Sequence, residues 1–177
     1  MLDVVLLGLT GLSLVTAAFA IALMLGLLVR VKRLEESGMR APTFGLEIGD
    51  PAPREAIEAS LGTQAPALVE GPSLWFFASG GCEACQDLIG NMNAQRTELP
   101  TEGVLMVLPK PADIDALRSD AQFAAEWIVD SNDTLRTAFQ ALATPMGFVV
   151  RDGEIADREL GPNIERMLRV VRSQRAQ

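Results

Sequence analysis

The chain begins with a run of 26 residues, Val4 to Val29, that contains no charged side chain. As a helix rising about 1.5 Å per residue, this run would be roughly 39 Å long, which exceeds the ~30 Å hydrocarbon core of a bilayer. Arg30, Lys32 and Arg33 follow it. The sequence therefore predicts a transmembrane anchor helix with a juxtamembrane turn over residues 1–36.

A cleaved signal peptide is the alternative for this run. Signal peptides have a basic amino-terminal region, a shorter apolar stretch and a cleavage site between small residues. Met1, Leu2 and Asp3 supply no basic side chain, and the apolar run ends at cations. The flanks favour an uncleaved, single-pass anchor.

The composition behind the anchor excludes several classes of chemistry. After Arg33 there are 12 Lys and Arg against 22 Asp and Glu, an excess that argues against nucleic acid as a partner. The chain has no histidine, which removes imidazole bases, His-based triads and Cys2His2 zinc sites. We expect neither a metal nor a cofactor.

The remaining pattern predicts an α/β domain over residues 54–177, preceded by a linker or domain entrance over residues 37–53. Apolar runs bounded by Pro and Gly predict strands buried on both faces. The order of elements indicates a three-layer sandwich in which helices flank a central mixed sheet. The predicted elements are strand 73–78, helix 82–97, strand 103–108, helix 113–125 capped by Asp113, strand 127–129, helix 134–142, hairpin 147–159 across Asp152-Gly153, and a last helix capped by Asn163; residues 66–72 are predicted to be irregular.

Cys82 and Cys85 are the two cysteines of the chain. Two thiols at this spacing on the first turn of a helix can form a disulfide with little backbone movement. Unpaired N–H groups and the helix dipole stabilise a thiolate on Cys82, and a thiolate is the attacking species in exchange. We therefore expect Cys82 to attack and the deeper Cys85 to resolve the mixed disulfide.

Half of a zinc site, or a structural disulfide, would have the same spacing. The chain has no second Cys or His pair, so zinc would need ligands from elsewhere. A buried strand ahead of the motif and a helix behind it favour the redox dithiol.

Thr144-Pro145 lies directly ahead of the predicted hairpin. An ordinary turn is the alternative, since only about 5–6% of X-Pro bonds in folded proteins are cis. Together with the dithiol, a cis Pro145 is the better prediction. It would place the Thr144 backbone beside Cys82, where an extended substrate segment could pair with it.

Several segments fall in the order and spacing of membrane-anchored thioredoxin-like proteins, which the chain resembles over about residues 45–160. Both the TlpA/ResA group and the methylamine-utilisation MauD group share that order, and the Ser79-Gly80-Gly81 lead-in and uncharged N-terminal helix look more like MauD. The segments are Gly45-Leu46-Glu47-Ile48-Gly49-Asp50-Pro51-Ala52-Pro53, Phe77-Ala78-Ser79-Gly80-Gly81-Cys82-Glu83-Ala84-Cys85, Ile128-Val129-Asp130-Ser131-Asn132-Asp133, Ala138-Phe139, Ala143-Thr144-Pro145 and Phe148-Val149-Val150-Arg151-Asp152-Gly153-Glu154-Ile155.

The resemblance implies a thioredoxin-like fold and a thiol-disulfide oxidoreductase that acts on protein thiols and disulfides. A membrane or soluble partner would reset the dithiol, with Cys82 and Cys85 catalytic and Thr144 and Pro145 binding substrate. The chain departs from thioredoxin where Gly81 replaces a Trp, where Phe76 replaces a buried acid, and in Glu83-Ala84 between the cysteines.

Two other functions are consistent with the same motifs. The Gly49-Asp50-Pro51-Ala52-Pro53 entrance suggests a peroxiredoxin-like thiol peroxidase, although Ser79 and Gly80 stand where such enzymes carry a Thr. A non-catalytic thioredoxin-fold adaptor is the other alternative.

The side of the membrane on which the domain lies is a separate prediction. Arg30, Lys32 and Arg33 favour a cytoplasmic domain by the positive-inside tendency, whereas the resemblance favours an extracytoplasmic one. We expect a single-pass protein of the cell membrane with its domain outside, since long segments translocate largely regardless of charge.

Overall fold

The computed structural model describes Met24 and residues 44–173. The predicted transmembrane anchor over residues 1–36 lies outside these described residues, except for Met24, and stays a prediction. Among the described residues, no helix is long and apolar enough to cross a bilayer.

Five strands between residues 44 and 173 form one mixed sheet. They are β1 (Ser73–Phe77), β2 (Val104–Leu108), β3 (Glu126–Val129), β4 (Met146–Arg151) and β5 (Glu154–Leu160). The order across the sheet is β3-β2-β1-β4-β5. β1, β2 and β3 are parallel to one another, whereas β4 is antiparallel to both β1 and β5.

Six α-helices in the same part of the chain cover the two faces of the sheet. They are α1 (Arg54–Leu61), α2 (Ala65–Glu70), α3 (Glu83–Ala94), α4 (Pro111–Arg118), α5 (Thr134–Ala138) and α6 (Ile164–Arg172). α3, α4 and α6 pack on one face, and α1, α2 and α5 pack on the other. The predicted α/β three-layer sandwich with a central mixed sheet is confirmed for the described residues.

β1 is buried along its whole length, as predicted. Leu74 and Phe76 contribute to the core beneath α3 and α6, while Trp75 and Phe77 contribute to the core beneath α1 and α5. Each such side chain stabilises the fold by roughly 1.5–3 kcal/mol relative to exposure. The ring centroids of Trp75 and Phe77 lie 5.0 and 5.2 Å from that of Phe139, at the end of α5.

The helix predicted over 113–125 is shorter and begins earlier than expected. α4 begins at Pro111, whose fixed φ and missing N–H suit the first turn of a helix. The N-cap is Lys110, so the assignment of Asp113 to this role was wrong.

Two further predictions on helices were wrong. Residues 66–72 were predicted to be irregular, but α2 forms there because Pro66 falls in the first turn, where proline is tolerated. The helix predicted to reach residue 142 ends at Ala138, since Gln140 adopts a positive φ of 53° and Ala141 donates its N–H back to the Arg136 carbonyl. The Asp152-Gly153 hairpin and the cap that Asn163 provides for α6 are confirmed.

Residues 44–52, here called the entrance segment, run along the outer edge of β5. Gly49 donates its N–H to Ile155, and Ala52 donates to Gly153, at 2.9 and 2.8 Å. Pro51 and Glu154 form an antiparallel bridge. The entrance segment therefore covers the start of this edge, at Glu154 and Ile155, while β3, with exposed Glu126 and Val129 at its two ends, forms the opposite edge.

Asp130 connects the end of β3 to the start of α5. The residue is buried, and its carboxylate accepts hydrogen bonds from the backbone N–H groups of Leu135 (3.2 Å) and Arg136 (2.8 Å). It therefore caps α5 from outside the helix, whereas Asp133, directly before the helix, makes no side-chain cap.

We expect Asp130→Ala to lower the free energy of unfolding by about 1–3 kcal/mol, because it leaves two helix N–H groups without an acceptor. Asp133→Asn keeps a residue that tolerates positive φ and should change stability by no more than about 0.5 kcal/mol. Urea unfolding followed by tryptophan fluorescence measures both. Equal losses in the two variants would contradict the assignment of the cap.

Candidate redox site

Cys82 is the N-cap of α3, at the end of the loop that leaves β1. Its carbonyl accepts hydrogen bonds from the N–H groups of Cys85 (3.0 Å) and Gln86 (3.2 Å). Its sulfur also accepts from the Cys85 N–H at 3.2 Å. The sulfur thus accepts a backbone N–H at the positive end of a helix, where a thiolate is stabilised.

The two cysteines form a disulfide, with their Cα atoms 5.1 Å apart. Cys82 is partly exposed, whereas Cys85 is 0% exposed and lies beneath the first turn of α3. A partner molecule can therefore approach Cys82 at the surface, whereas Cys85 is out of reach. This difference in exposure is the one expected of an attacking and a resolving thiol.

Thr144 and Pro145 lie beside the disulfide. The peptide bond between them is cis, in agreement with the sequence analysis. The Cys82 sulfur is 3.8 Å from the Thr144 carbonyl oxygen, although the two residues are 62 positions apart in the chain. The structure therefore brings all four predicted site residues together.

The topology of the sheet explains why these residues meet. The residue that ends β1, Phe77, pairs with Met146, which begins β4. Because β4 is antiparallel to β1, the segment that follows Phe77 and the segment that precedes Met146 lie at the same end of the sheet. The first segment carries Cys82, and the second carries Thr144 and Pro145.

The side chains packed around Cys85 are apolar. Phe76, Ala78 and Leu88 belong to the same buried cluster, and Phe76 is 0% exposed. Phe76 occupies the place that the sequence analysis assigns to the buried acid of thioredoxin. Cys85 therefore belongs to a buried apolar cluster in which a phenyl ring stands at the position of that acid.

Two exposed leucines flank the Thr144–Pro145 step. Leu142 is 69% exposed, and Leu160 is 49% exposed at the end of β5. Leu160 is paired with Met146, and the next residue, Gly161, donates its N–H to the Pro145 carbonyl at 2.9 Å. Sequence reasoning missed both residues, because a single leucine in a loop carries no signal of its exposure.

Of the two glycines ahead of Cys82, only Gly80 lies in close contact with another element. A Cβ on Gly80 would lie 2.8 Å from Asp113 Oδ1 and 2.9 Å from Asp113 Cα, in the first turn of α4. A Cβ on Gly81 would meet no atom within 4 Å. The first turn of α4 therefore packs directly against the loop that carries the attacking cysteine.

Comparisons with known proteins give matches among solved structures. No protein-family model and no curated protein sequence matches the chain. The solution structure of a thioredoxin-like protein in the oxidized form is 20% identical, with a TM-score of 0.58 over 72% of this chain and 99% of that one.

Two further solved structures match the chain to a similar extent. A putative thiol:disulfide interchange protein DsbE from Chlorobium tepidum is 16% identical, with a TM-score of 0.54 over 71% of this chain and 98% of that one. A mutant of PrxQ from Xylella fastidiosa is 14% identical, with a TM-score of 0.58 over 74% of this chain and 96% of that one. At these identities the matches establish the fold, so the described domain has a thioredoxin-like fold.

We expect Gly80→Ala to lower the free energy of unfolding of the oxidised protein by about 1–3 kcal/mol, because the new methyl group displaces α4 or the redox loop. Gly81→Ala should change it by no more than about 0.5 kcal/mol, since the methyl group would enter open space. Chemical denaturation of both variants gives the comparison. A Gly81→Ala loss as large as that of Gly80→Ala would contradict the packing argument.

Proposed function

We propose that this protein is a membrane-tethered thiol-disulfide oxidoreductase that exchanges disulfides with client or partner proteins through Cys82 and Cys85. One observation carries the proposal: the sulfur of a partly exposed cysteine at the start of a helix lies 3.8 Å from the Thr144 carbonyl oxygen, with its disulfide partner buried behind it. This arrangement offers one sulfur to a partner and withholds the other.

In the oxidised protein, a client thiolate attacks the Cys82 sulfur. The bond between client and Cys82 forms as the Cys82–Cys85 bond breaks, and Cys85 leaves with the electron pair and takes up a proton. A second client thiolate then attacks the client sulfur of the mixed disulfide and releases Cys82. Two electrons pass from client to protein, and the reverse sequence reduces a client disulfide.

The surface around Cys82 suits an extended polypeptide as the substrate. The Thr144 backbone offers hydrogen-bonding groups beside the reactive sulfur, as in recognition by added strands. Leu142 and Leu160 offer apolar contact on either side. A protein segment that carries a cysteine between apolar residues would use both features.

We further propose that the chain belongs with the MauD and TlpA/ResA groups. We also propose that its domain lies outside the cytoplasm. A tethered oxidoreductase on that side would meet secreted or membrane clients, where disulfides persist. A membrane or soluble redox partner would then return the dithiol to its working state. The long uncharged run and the Ser79-Gly80-Gly81 lead-in support this finer assignment.

Peroxide reduction is the second candidate function. The structural match to PrxQ and the Gly49-Asp50-Pro51-Ala52-Pro53 segment favour it. Against it, Ser79 and Gly80 stand where the sequence analysis expects a Thr ahead of a peroxidatic cysteine. Peroxide consumption measured beside disulfide exchange on the same preparation separates the two activities.

We expect Cys82→Ser to abolish the reduction of insulin disulfides, because it removes the exposed nucleophile. Cys85→Ser should still attack but should accumulate a mixed disulfide between Cys82 and its substrate, since the resolving thiol is gone. Activity assays and intact-mass measurement of the trapped adduct provide the test. The wild-type dithiol should titrate against glutathione as a single two-electron couple.

Full exchange activity in Cys82→Ser would overturn the proposal. A wild-type protein that exchanges with neither insulin nor dithiothreitol would instead support the non-catalytic adaptor, in which the disulfide is structural.

We expect a reporter that fluoresces only in the cytoplasm to stay dark when it is fused after Gln177. A reporter that requires export should be active at the same position. Bright fluorescence would instead indicate a cytoplasmic domain, which is the location that Arg30, Lys32 and Arg33 favour.

A further inference from the structure

Residues 140–145, here called the cis-proline loop, connect α5 to β4 and carry Thr144. Its backbone hydrogen bonds lie at the two ends: Gln140, Ala141 and Leu142 donate to Thr137, Arg136 and Gln140, and Pro145 accepts from Gly161, all at 2.9–3.0 Å. The position of Thr144 relative to Cys82 therefore depends on what secures the two ends of the loop, Phe139 and Met146.

The entrance segment contacts both ends. At the α5 end, the Leu46 N–H donates to the Phe139 carbonyl at 3.1 Å. At the β4 end, Gly45 packs against the side chains of Met146 and Phe148, and a Cβ on Gly45 would lie 2.6 Å from Phe148 Cζ. Gly45 is buried and has a φ of +92°, so both its backbone conformation and its contacts require glycine.

Arg158 fastens this part of the entrance segment to the sheet. Its guanidinium Nη1 donates to the carbonyl oxygens of Gly45 (2.5 Å) and Leu46 (3.1 Å). Arg158 lies on β5 opposite Phe148, one of the two residues on which Gly45 packs. Hydrogen bonds from a charged donor are stronger than those between neutral groups.

We propose that Arg158, acting through Gly45 and Leu46, is a positioning residue for the substrate-binding edge at Thr144. The inference rests on the proposed function. Arg158 does not reach the sulfurs; it secures the backbone that braces the two ends of the cis-proline loop. Its removal lets the Thr144 carbonyl drift from Cys82, which weakens pairing with a polypeptide substrate but leaves the dithiol itself intact.

The test compares a polypeptide substrate with a small one, using the full chain in a mild detergent. In Arg158→Ala, the KM for insulin should rise on the order of tenfold, because the pairing edge is misplaced. The rate constant with dithiothreitol and the equilibrium with glutathione should stay unchanged, since small thiols need only the Cys82 sulfur. Arg158→Lys keeps a charged donor and should restore most of the insulin activity.

Arg151→Ala is the matched control. Arg151 is also a partly buried arginine of the β4–β5 hairpin, but it lies at the hairpin turn, next to Asp152. The KM of Arg151→Ala for insulin should equal that of the wild type. An unchanged insulin KM in Arg158→Ala, or an equal loss with dithiothreitol, would overturn the inference.

Hydrogen exchange gives a readout that does not depend on catalysis. The amides of residues 141, 142 and 144 should exchange faster in Arg158→Ala than in Arg151→Ala, and equal rates would overturn the inference. If the wild-type protein has no exchange activity, the proposed function is wrong. The hydrogen-exchange comparison of the two variants would still test whether Arg158 holds the cis-proline loop. Should Arg158→Ala fail to fold, Arg158→Met, which keeps a long aliphatic side chain but no donor group, replaces it in every measurement.

Discussion

The site depends on β1 being covered on both faces and paired along both edges. Phe77, its last residue, pairs with Val107 of β2 and with Met146 of β4. A shift of one residue in this register would move the side chains of β1 to the opposite faces of the sheet. Such a shift is unfavourable because large side chains already fill the core on both faces. The packing of the core thus fixes the position at which β1 ends and the loop to Cys82 begins. The pairing of Phe77 with Met146 likewise fixes the position at which the segment with Thr144 joins β4.

Local patterns predicted the parts of the fold that have local causes. The apolar run of β1, the glycines before Cys82 and the Asp152-Gly153 turn are each readable from a few neighbouring residues. The start of α4 was missed because its N-cap, Lys110, makes no side-chain cap, and the end of α5 was missed because it depends on a positive φ at Gln140; neither has a clear sequence signal.

The parts of the site that sequence reasoning missed depend on long-range contacts. Arg158 and Gly45 are 113 positions apart, and neither belongs to a recognisable motif. Asp113 was assigned to the wrong role for a related reason, since its contact with Gly80 exists only after the loop that carries Cys82 packs against the first turn of α4. The two cysteines also differ in their surroundings, since the Cys82 sulfur accepts the Cys85 N–H while Cys85 itself is buried in an apolar cluster.

The edges of the sheet bear on how crowded copies of this domain would behave. An exposed strand edge is a template on which another molecule can add a strand, and long flat edges promote aggregation. Here the entrance segment covers the start of β5, and β3 is only four residues long and begins with a charged side chain. The rest of β5 carries Asp157, Arg158 and Glu159, and charged side chains on an edge oppose strand addition, so both borders of the sheet disfavour fibre formation between crowded copies.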